Sequence, residues 1–363
     1  MNLPTKHKQI LDEILRSVKT KPNRPPTLIK GELGTGKSWL IHEIVANLKT
    51  EVKSNGLIPV YIPMQLSAHN LVDMIQTHIN LEKSQVISQN KNSTDSTKYR
   101  TLIILENIDI LFNLSTSSGM FSKPKKIGRG STQYSQLQYA NELRRYLIEN
   151  NSKVSILATT SENTYFIEDP EQPFYEFFNI IELGKLDNQQ CIEYFKDSSK
   201  DYVPEKEASA LINTISNFNP KWILHITDGK ISLINALIDS FLEKVLIKNK
   251  KKSGDSAYEN FISSYFIKVT PFLTRELDKL GYSERILIDK ISLIENSFMG
   301  SQVSFKEFNS SLFLQQLCKK NILEKEGVGK NTSYRMSSMA FKAWIRFSKR
   351  CKFFEIVEPS KSC

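Results

Sequence analysis

Residues 31–38 read GELGTGKS. They follow a short apolar run, TLIK (27–30), and precede WLIHEIVANL (39–48), whose apolar residues recur at helical spacing. G-x-x-x-x-G-K-S between a strand and a helix is a pattern that wraps a polyphosphate. Gly31, Gly34 and Gly36 let the main chain turn tightly with its N–H groups inward, and the helix opening near Lys37 adds the positive end of its dipole. Lys37 supplies a cation for the β- and γ-phosphates and Ser38 a hydroxyl for Mg²⁺, with Thr35 and Trp39 as further candidate contacts in the same turn.

Working outward, HKQILDEILRSV (7–18) predicts a helix ahead of the loop. Downstream, LIPVYIPM (57–64) predicts a strand and residues 69–80 a helix, while the polar stretch 81–99 reads as a surface insertion without regular structure. TLIILENIDILF (101–112) predicts a buried strand. A polar segment, 115–136, carries Lys123, Lys125, Lys126 and Arg129. The helix QYANELRRYLIEN (138–150) and the buried strand KVSILATT (153–160) complete the pattern. Strands alternating with helices imply an α/β fold, a parallel sheet covered on both faces.

From Leu186 the strand signals stop and helical patterns run to 247. The lysine-, serine- and glycine-rich LIKNKKKSGDSAYE (246–259) reads as a boundary, and a two-stranded wing is predicted at 322–337. The expected organisation is a P-loop core over 1–185, a helical lid over 186–247, and a basic linker with a winged-helix-like domain over 248–363. There is no internal repeat.

The partner of a phosphate loop is an acidic residue at the end of a neighbouring buried strand, where it orients hydrated Mg²⁺. Glu106, after LIIL, stands there. In many P-loop ATPases the next residue is a glutamate that activates the attacking water; here it is Asn107, which is no base. Asp109 is the nearest substitute, or caps the following turn. Thr160, at the end of its strand, is a candidate contact for the γ-phosphate or the attacking water.

This order of parts resembles the AAA+/STAND superfamily of ATPases over about residues 5–245. The resemblance is carried by GELGTGKS, by LIILENID as Walker B, by LRRYL, by SILATTSEN as sensor 1, and by PFYEFFNIIELGKLDNQQCIEYF and GKISLINAL as lid segments. It implies ATP as the nucleotide. The departures are Asn107 at the usual glutamate, which implies slow turnover, and Ser232 where a sensor arginine often stands, with Lys230 as the nearby cation. Arg144 and Arg145 become candidates for charge stabilisation in trans or between domains. Residues 270–348 resemble the winged helix of origin-recognition-type and related STAND ATPases: YSERILIDKISLIENS, VSFKEFNS and SLFLQQLCKKNILEK as its helices, GVGKNTSYRMS as its wing and MAFKAWIRFSK as a closing helix. The implied function is an ATP-dependent switch with weak ATPase activity, of a kind that serves defence or regulation. The alternative is a DNA-binding initiator or targeting factor.

Charge bears on that choice. Residues 1–240 carry 27 basic and 26 acidic side chains, and residues 241–363 carry 22 and 13, so the last third holds +9 of the net +10. DNA is one partner for such a surface, through Lys319, Lys320, Lys330 and Arg335 as phosphate contacts. A partner protein, or a second copy, is the other. Cys191, Cys318, Cys351 and Cys363 lack metal-ligand or redox spacing, as expected of reduced thiols. No apolar run approaches the ~18–20 residues of a membrane helix, and the N-terminus has no signal-peptide pattern, so a cytoplasmic location is expected.

Overall fold

The computed structural model describes residues 3–20, 25–63, 71–89, 99–111, 132–161, 165–200, 221–248, 256–294, 298–299, 310–327 and 332–350. The chain divides into two compact units, Leu3–Gly184 and Lys185–Cys363. The cluster Lys123, Lys125, Lys126 and Arg129, the segment 303–309 and Lys330 lie outside the described residues.

The first unit opens on α1 (Thr5–Thr20). Strands β1 (Thr27–Lys30), β2 (Leu57–Pro63), β3 (Arg100–Glu106), β4 (Val154–Thr160) and β5 (Asn179–Glu182) are joined through α2 (Lys37–Asn55), α3 (Leu71–Gln89), α4 (Thr132–Glu149) and the short α5 (Tyr165–Glu168). The strands pair in parallel in the order β2-β3-β4-β1-β5. Period-2 alternation builds two cores from one sheet. Leu102 and Ile104 of β3 pack with α1 and α2, through Ile10, Ile14, Leu40, Ile41 and Ile44. Ile103 and Leu105 pack on the other face with Ile75 and Ile79 of α3 and Leu143 of α4. Because β4 lies between β1 and β3, three strand ends meet at one edge: Lys30 is in register with Thr160, and Leu105 with Ala158. In open parallel sheets that carboxyl edge is where ligands bind.

Three sequence expectations need correction here. The stretch 81–99 is not all irregular, since α3 continues to Gln89; Val86 packs on the same core as Ile75 and Ile79, extending a helical stripe beneath a polar surface. The strand expected over 101–112 stops at Glu106. Asn107 takes a left-handed conformation, φ 58, and a 3-10 turn follows over Ile108–Leu111. Ile108 is nevertheless buried, so apolar content alone misled the boundary. Finally, α4 begins at Thr132, inside the segment read as polar loop.

The second unit contains α6 (Asn188–Lys200), α7 (Lys221–Thr227), α8 (Ile231–Lys248), α9 (Ser256–Asp278), α10 (Tyr282–Ser292), α11 (Ser310–Lys319) and α12 (Met339–Arg350). A small antiparallel sheet, β6-β8-β7, is made from Phe298–Met299 (β6), Ser333–Met336 (β8) and Leu323–Glu326 (β7). This is a helical lid followed by a winged helix. The strand β6 had no signal in the sequence, being two residues long. The Phe195, Phe241 and Phe261 rings follow one another at 6.3 and 5.7 Å, and Lys268 pairs with Glu243 at 2.7 Å. The lysine-rich stretch 246–259 thus joins two helices that pack on each other within one unit.

One contact ties the lid to the closing helix. Asp228, at φ 51 between α7 and α8, accepts the N–H groups of Met339 (2.9 Å) and Ala340 (3.0 Å) and the Ser338 hydroxyl. A carboxylate at a helix N-terminus meets both unsatisfied amides and the dipole. Tyr265 of α9 donates to the Ile226 carbonyl at 2.6 Å, and Trp344 of α12 donates to the Thr270 hydroxyl at 3.0 Å. Among the described residues no helix is long and apolar enough to cross a membrane.

Candidate nucleotide site

The loop between β1 and α2 is closed by its own sequence. A Cβ at Gly31 would lie 2.5 Å from the Leu183 carbonyl oxygen and 2.9 Å from the Thr35 hydroxyl, so only glycine lets β1 turn beneath the strand beside it. Gly36 stands at φ 95, a conformation L side chains rarely adopt. Thr35 is buried, its hydroxyl donating to the Glu32 carbonyl at 2.9 Å. The Lys37 ammonium crosses the loop to the carbonyls of Gly31 (2.6 Å) and Glu32 (2.8 Å), and Ser38 is exposed at the mouth. From α1, His7 meets the Thr35 carbonyl through Nε2 at 2.8 Å while fully buried. Burial holds its pKa below the usual histidine value, with Lys6 adding to that and the bond to Thr35 opposing it.

The neighbouring strand ends supply the acidic side. Glu106 is nearly buried and accepts a short hydrogen bond from the Tyr61 hydroxyl of β2. His42 of α2 meets the Tyr61 ring edge-on at 5.6 Å. Burial, then the hydrogen bond and charge of Glu106, push the Tyr61 pKa up, so its hydroxyl stays a donor. The Asn107 N–H donates to the Thr159 hydroxyl at 2.9 Å. Asp109 is buried, with one oxygen accepting from the Ser161 hydroxyl at 2.8 Å and the other without a partner. Thr160 is buried, and its carbonyl accepts the Gly31 N–H at 3.3 Å, so β4 supports the start of the loop directly.

The structure therefore gathers Gly31, Gly34, Gly36, Lys37 and Ser38 on one side of the strand edge, with Glu106, Asn107, Asp109 and Thr160 on the other. A glycine-lined cradle, a lysine, an exposed hydroxyl and a carboxylate make a donor set that fits a Mg²⁺–nucleotide. Other candidates lie elsewhere. Trp39 is half-buried against the core beneath α1 and α2. Arg144 donates to the Pro173 carbonyl at 2.6 Å and lies 5.5 Å from the Phe177 ring centre, engaged within its own unit, whereas Arg145 is exposed on α4. Lys230 is buried 5.8 Å from the Phe272 ring, and Ser232 is exposed.

The basic residues of the winged helix are less available than their count suggests. Lys320 pairs with Glu284 at 2.6 Å and donates to the Lys279 carbonyl at 2.8 Å. Arg335 pairs across the β-hairpin with Glu324 (2.6 Å) and Glu326 (3.2 Å). Four functional neighbours escaped the sequence reading: His7, Tyr61, Thr159 and Ser161. Tyr61 had a signal, as the one polar side chain in the aliphatic strand LIPVYIP. The other three depend on which strand ends and helices meet.

No protein-family model matches the sequence, and no curated protein matches it. The fold does have solved likenesses. The Aeropyrum pernix ORC2 protein, solved as ADPNP–ADP complexes, superposes with a TM-score of 0.55 at 13% identity, covering 96% of this chain and 94% of that one. Its ADP form gives a TM-score of 0.51 at 11% identity over the same shares. The chain thus shares the fold of the Aeropyrum pernix ORC2 protein.

Proposed function

We propose that this chain is an ATP-binding switch in which the nucleotide state of the first unit governs what the second unit engages. The observation that carries it is the convergence of Gly31–Ser38 with Glu106 at one strand edge. The likeness to a protein solved with ADPNP and ADP supports an adenine nucleotide. In this reading Gly31, Gly34 and Gly36 cradle the phosphates, Lys37 binds them, and Ser38 and Glu106 hold Mg²⁺. When bound, that ion neutralises charge on the phosphates.

Asn107 argues for slow hydrolysis. It offers an amide where a base is expected, and Asp109 is tied to Ser161. Slow turnover suits a switch better than a motor, because a state that lasts can be read by a partner. In the second unit, Asp228 bonds the lid to the closing helix, so a change at the lid is felt by the winged helix. A second reading is a DNA-associated initiator or targeting factor. The +9 charge of residues 241–363 favours it, and the pairing of Lys320 and Arg335 with glutamates counts against a simple phosphate-binding face.

The test is Lys37→Ala against wild type in binding of a fluorescent ATP analogue, with turnover followed by phosphate release. The variant is expected to lose binding, and wild type to turn over well below the ~1–100 s⁻¹ of kinases. Unchanged binding by Lys37→Ala would show that the phosphates sit elsewhere.

A further inference from the structure

The arrangement around His7 was not foreseen in the motif. His7 lies in the first turn of α1, 28 residues before Thr35, yet is wholly buried with Nε2 2.8 Å from the Thr35 carbonyl oxygen. That oxygen can only accept, so Nε2 carries the proton and Nδ1 is the bare nitrogen. Nδ1 is itself buried and has no hydrogen-bond partner. A residue retained only to fill space would not leave a buried nitrogen unsatisfied, since an aliphatic side chain fills space without that cost.

The gain lies at the other end of the bond. The Thr35–Gly36 peptide is trans, and in a trans peptide the C=O and the following N–H point opposite ways. Holding the Thr35 carbonyl toward α1 therefore turns the Gly36 N–H away from α1. The ladder of α2 starts one residue later, where Leu40 N–H meets the Gly36 carbonyl at 2.9 Å. Glycine at φ 95 is also the residue most free to flip this peptide. The bond from His7 removes that freedom.

We propose that His7 is a positioning residue of the phosphate-binding loop: its Nε2–H locks the Thr35–Gly36 peptide so that the Gly36 N–H faces the nucleotide. This rests on the nucleotide-site reading above. It predicts that the loop's affinity depends on a hydrogen-bond donor at position 7, not on the ring.

The experiment compares wild type with His7→Gln, which keeps a donor, and with His7→Met and His7→Phe, which keep bulk without one. Affinity for a fluorescent ATP analogue and thermal melting without nucleotide are measured on each full-length chain. The donorless variants are expected to bind about ten-fold more weakly. Gln is expected to return affinity to within about three-fold of wild type. A folded Met or Phe variant with wild-type affinity overturns the proposal. So does a Gln variant that melts like wild type yet binds as weakly as Met. If neither donorless variant folds, amide exchange on the unaltered protein decides: nucleotide must slow exchange at Gly36, and unchanged exchange there with nucleotide bound overturns the assignment. A wild type that binds no nucleotide is a different result. It removes the site reading and this proposal together.

Discussion

Replacing Tyr61 by Phe removes one oxygen and leaves the ring, its contact with His42 and the strand pairing of β2 in place. What is lost is a donor to a nearly buried carboxylate. A hydrogen bond to a charged group contributes about 1.5–3 kcal/mol. The first unit spans 182 residues (3 to 184), for which 1 kcal/mol moves a melting midpoint by roughly 2–4 °C. The variant should therefore melt about 3–12 °C lower without nucleotide. The functional effect is more selective. If Glu106 orients Mg²⁺, Tyr61 orients Glu106, and loss of such an outer partner weakens metal affinity by roughly 10–100-fold. Titration of an ATP analogue with Mg²⁺ and with excess EDTA separates the two. Affinity should drop at least about ten-fold with Mg²⁺ and stay near wild type in EDTA. An equal loss in both conditions, or none, would refute the chain of reasoning from Tyr61 through Glu106 to the ion.

Asn107→Glu should raise turnover, but by less than the roughly 10²–10⁴-fold a well-placed base supplies, because a glutamate at φ 58 costs about 1 kcal/mol more strain than asparagine; phosphate release at saturating ATP measures it, and a full 10⁴-fold rise would show the backbone imposes no penalty. Asp228→Ala leaves one buried amide, one part-buried amide and a hydroxyl without their acceptor and should destabilise the second unit by about 2–3 kcal/mol, read from urea unfolding, while Asp228→Asn should lose less. If duplex DNA binds, glutamine at both Lys320 and Arg335 should change the slope of log K against log salt by less than the ~1.8 expected for two freed phosphate contacts, since both cations are already paired; a change of the full amount would show those pairs open on DNA. Because the folded pKa of His7 lies below 6.5, the unfolded chain takes up its proton first. Its stability contribution is complete above about pH 6.5 and declines as pH falls below it, and His7→Gln should remove that slope from a pH series of unfolding curves.

The sheet and its phosphate loop were readable because each rests on local chemistry. TLIK, LIPVYIP and VSILATT are β-branched runs, and GELGTGKS needs glycine at φ values no other residue takes comfortably. The end of β3 was not readable. Nothing in the apolar run IDILF says the strand stops at Glu106, and only the turn at Asn107 shows it. The supporting residues were hidden for a different reason: His7 and Thr35, or Tyr61 and Glu106, meet through strand order and helix packing, 28 and 45 residues apart. The charge count could not show pairing between strands. Sequence shows Arg335 and Glu324 as eleven residues apart, whereas hairpin pairing puts them in register.

The bond between Asp228 and the start of α12 has a consequence for synthesis. Its partners lie 110–112 residues apart, so the carboxylate must leave the ribosome well before the helix it caps exists. At translation rates of ~5–20 residues per second that interval is roughly 6–22 s. Throughout it the nascent lid holds a carboxylate destined for burial whose donors have not yet been made. An early, tightly collapsed lid would have to bury that charge without donors, at a cost of several kcal/mol. The lid can pack on α9 as soon as that helix is made, whereas the Asp228 contact is expected to form last, with the final helix acting as the catch.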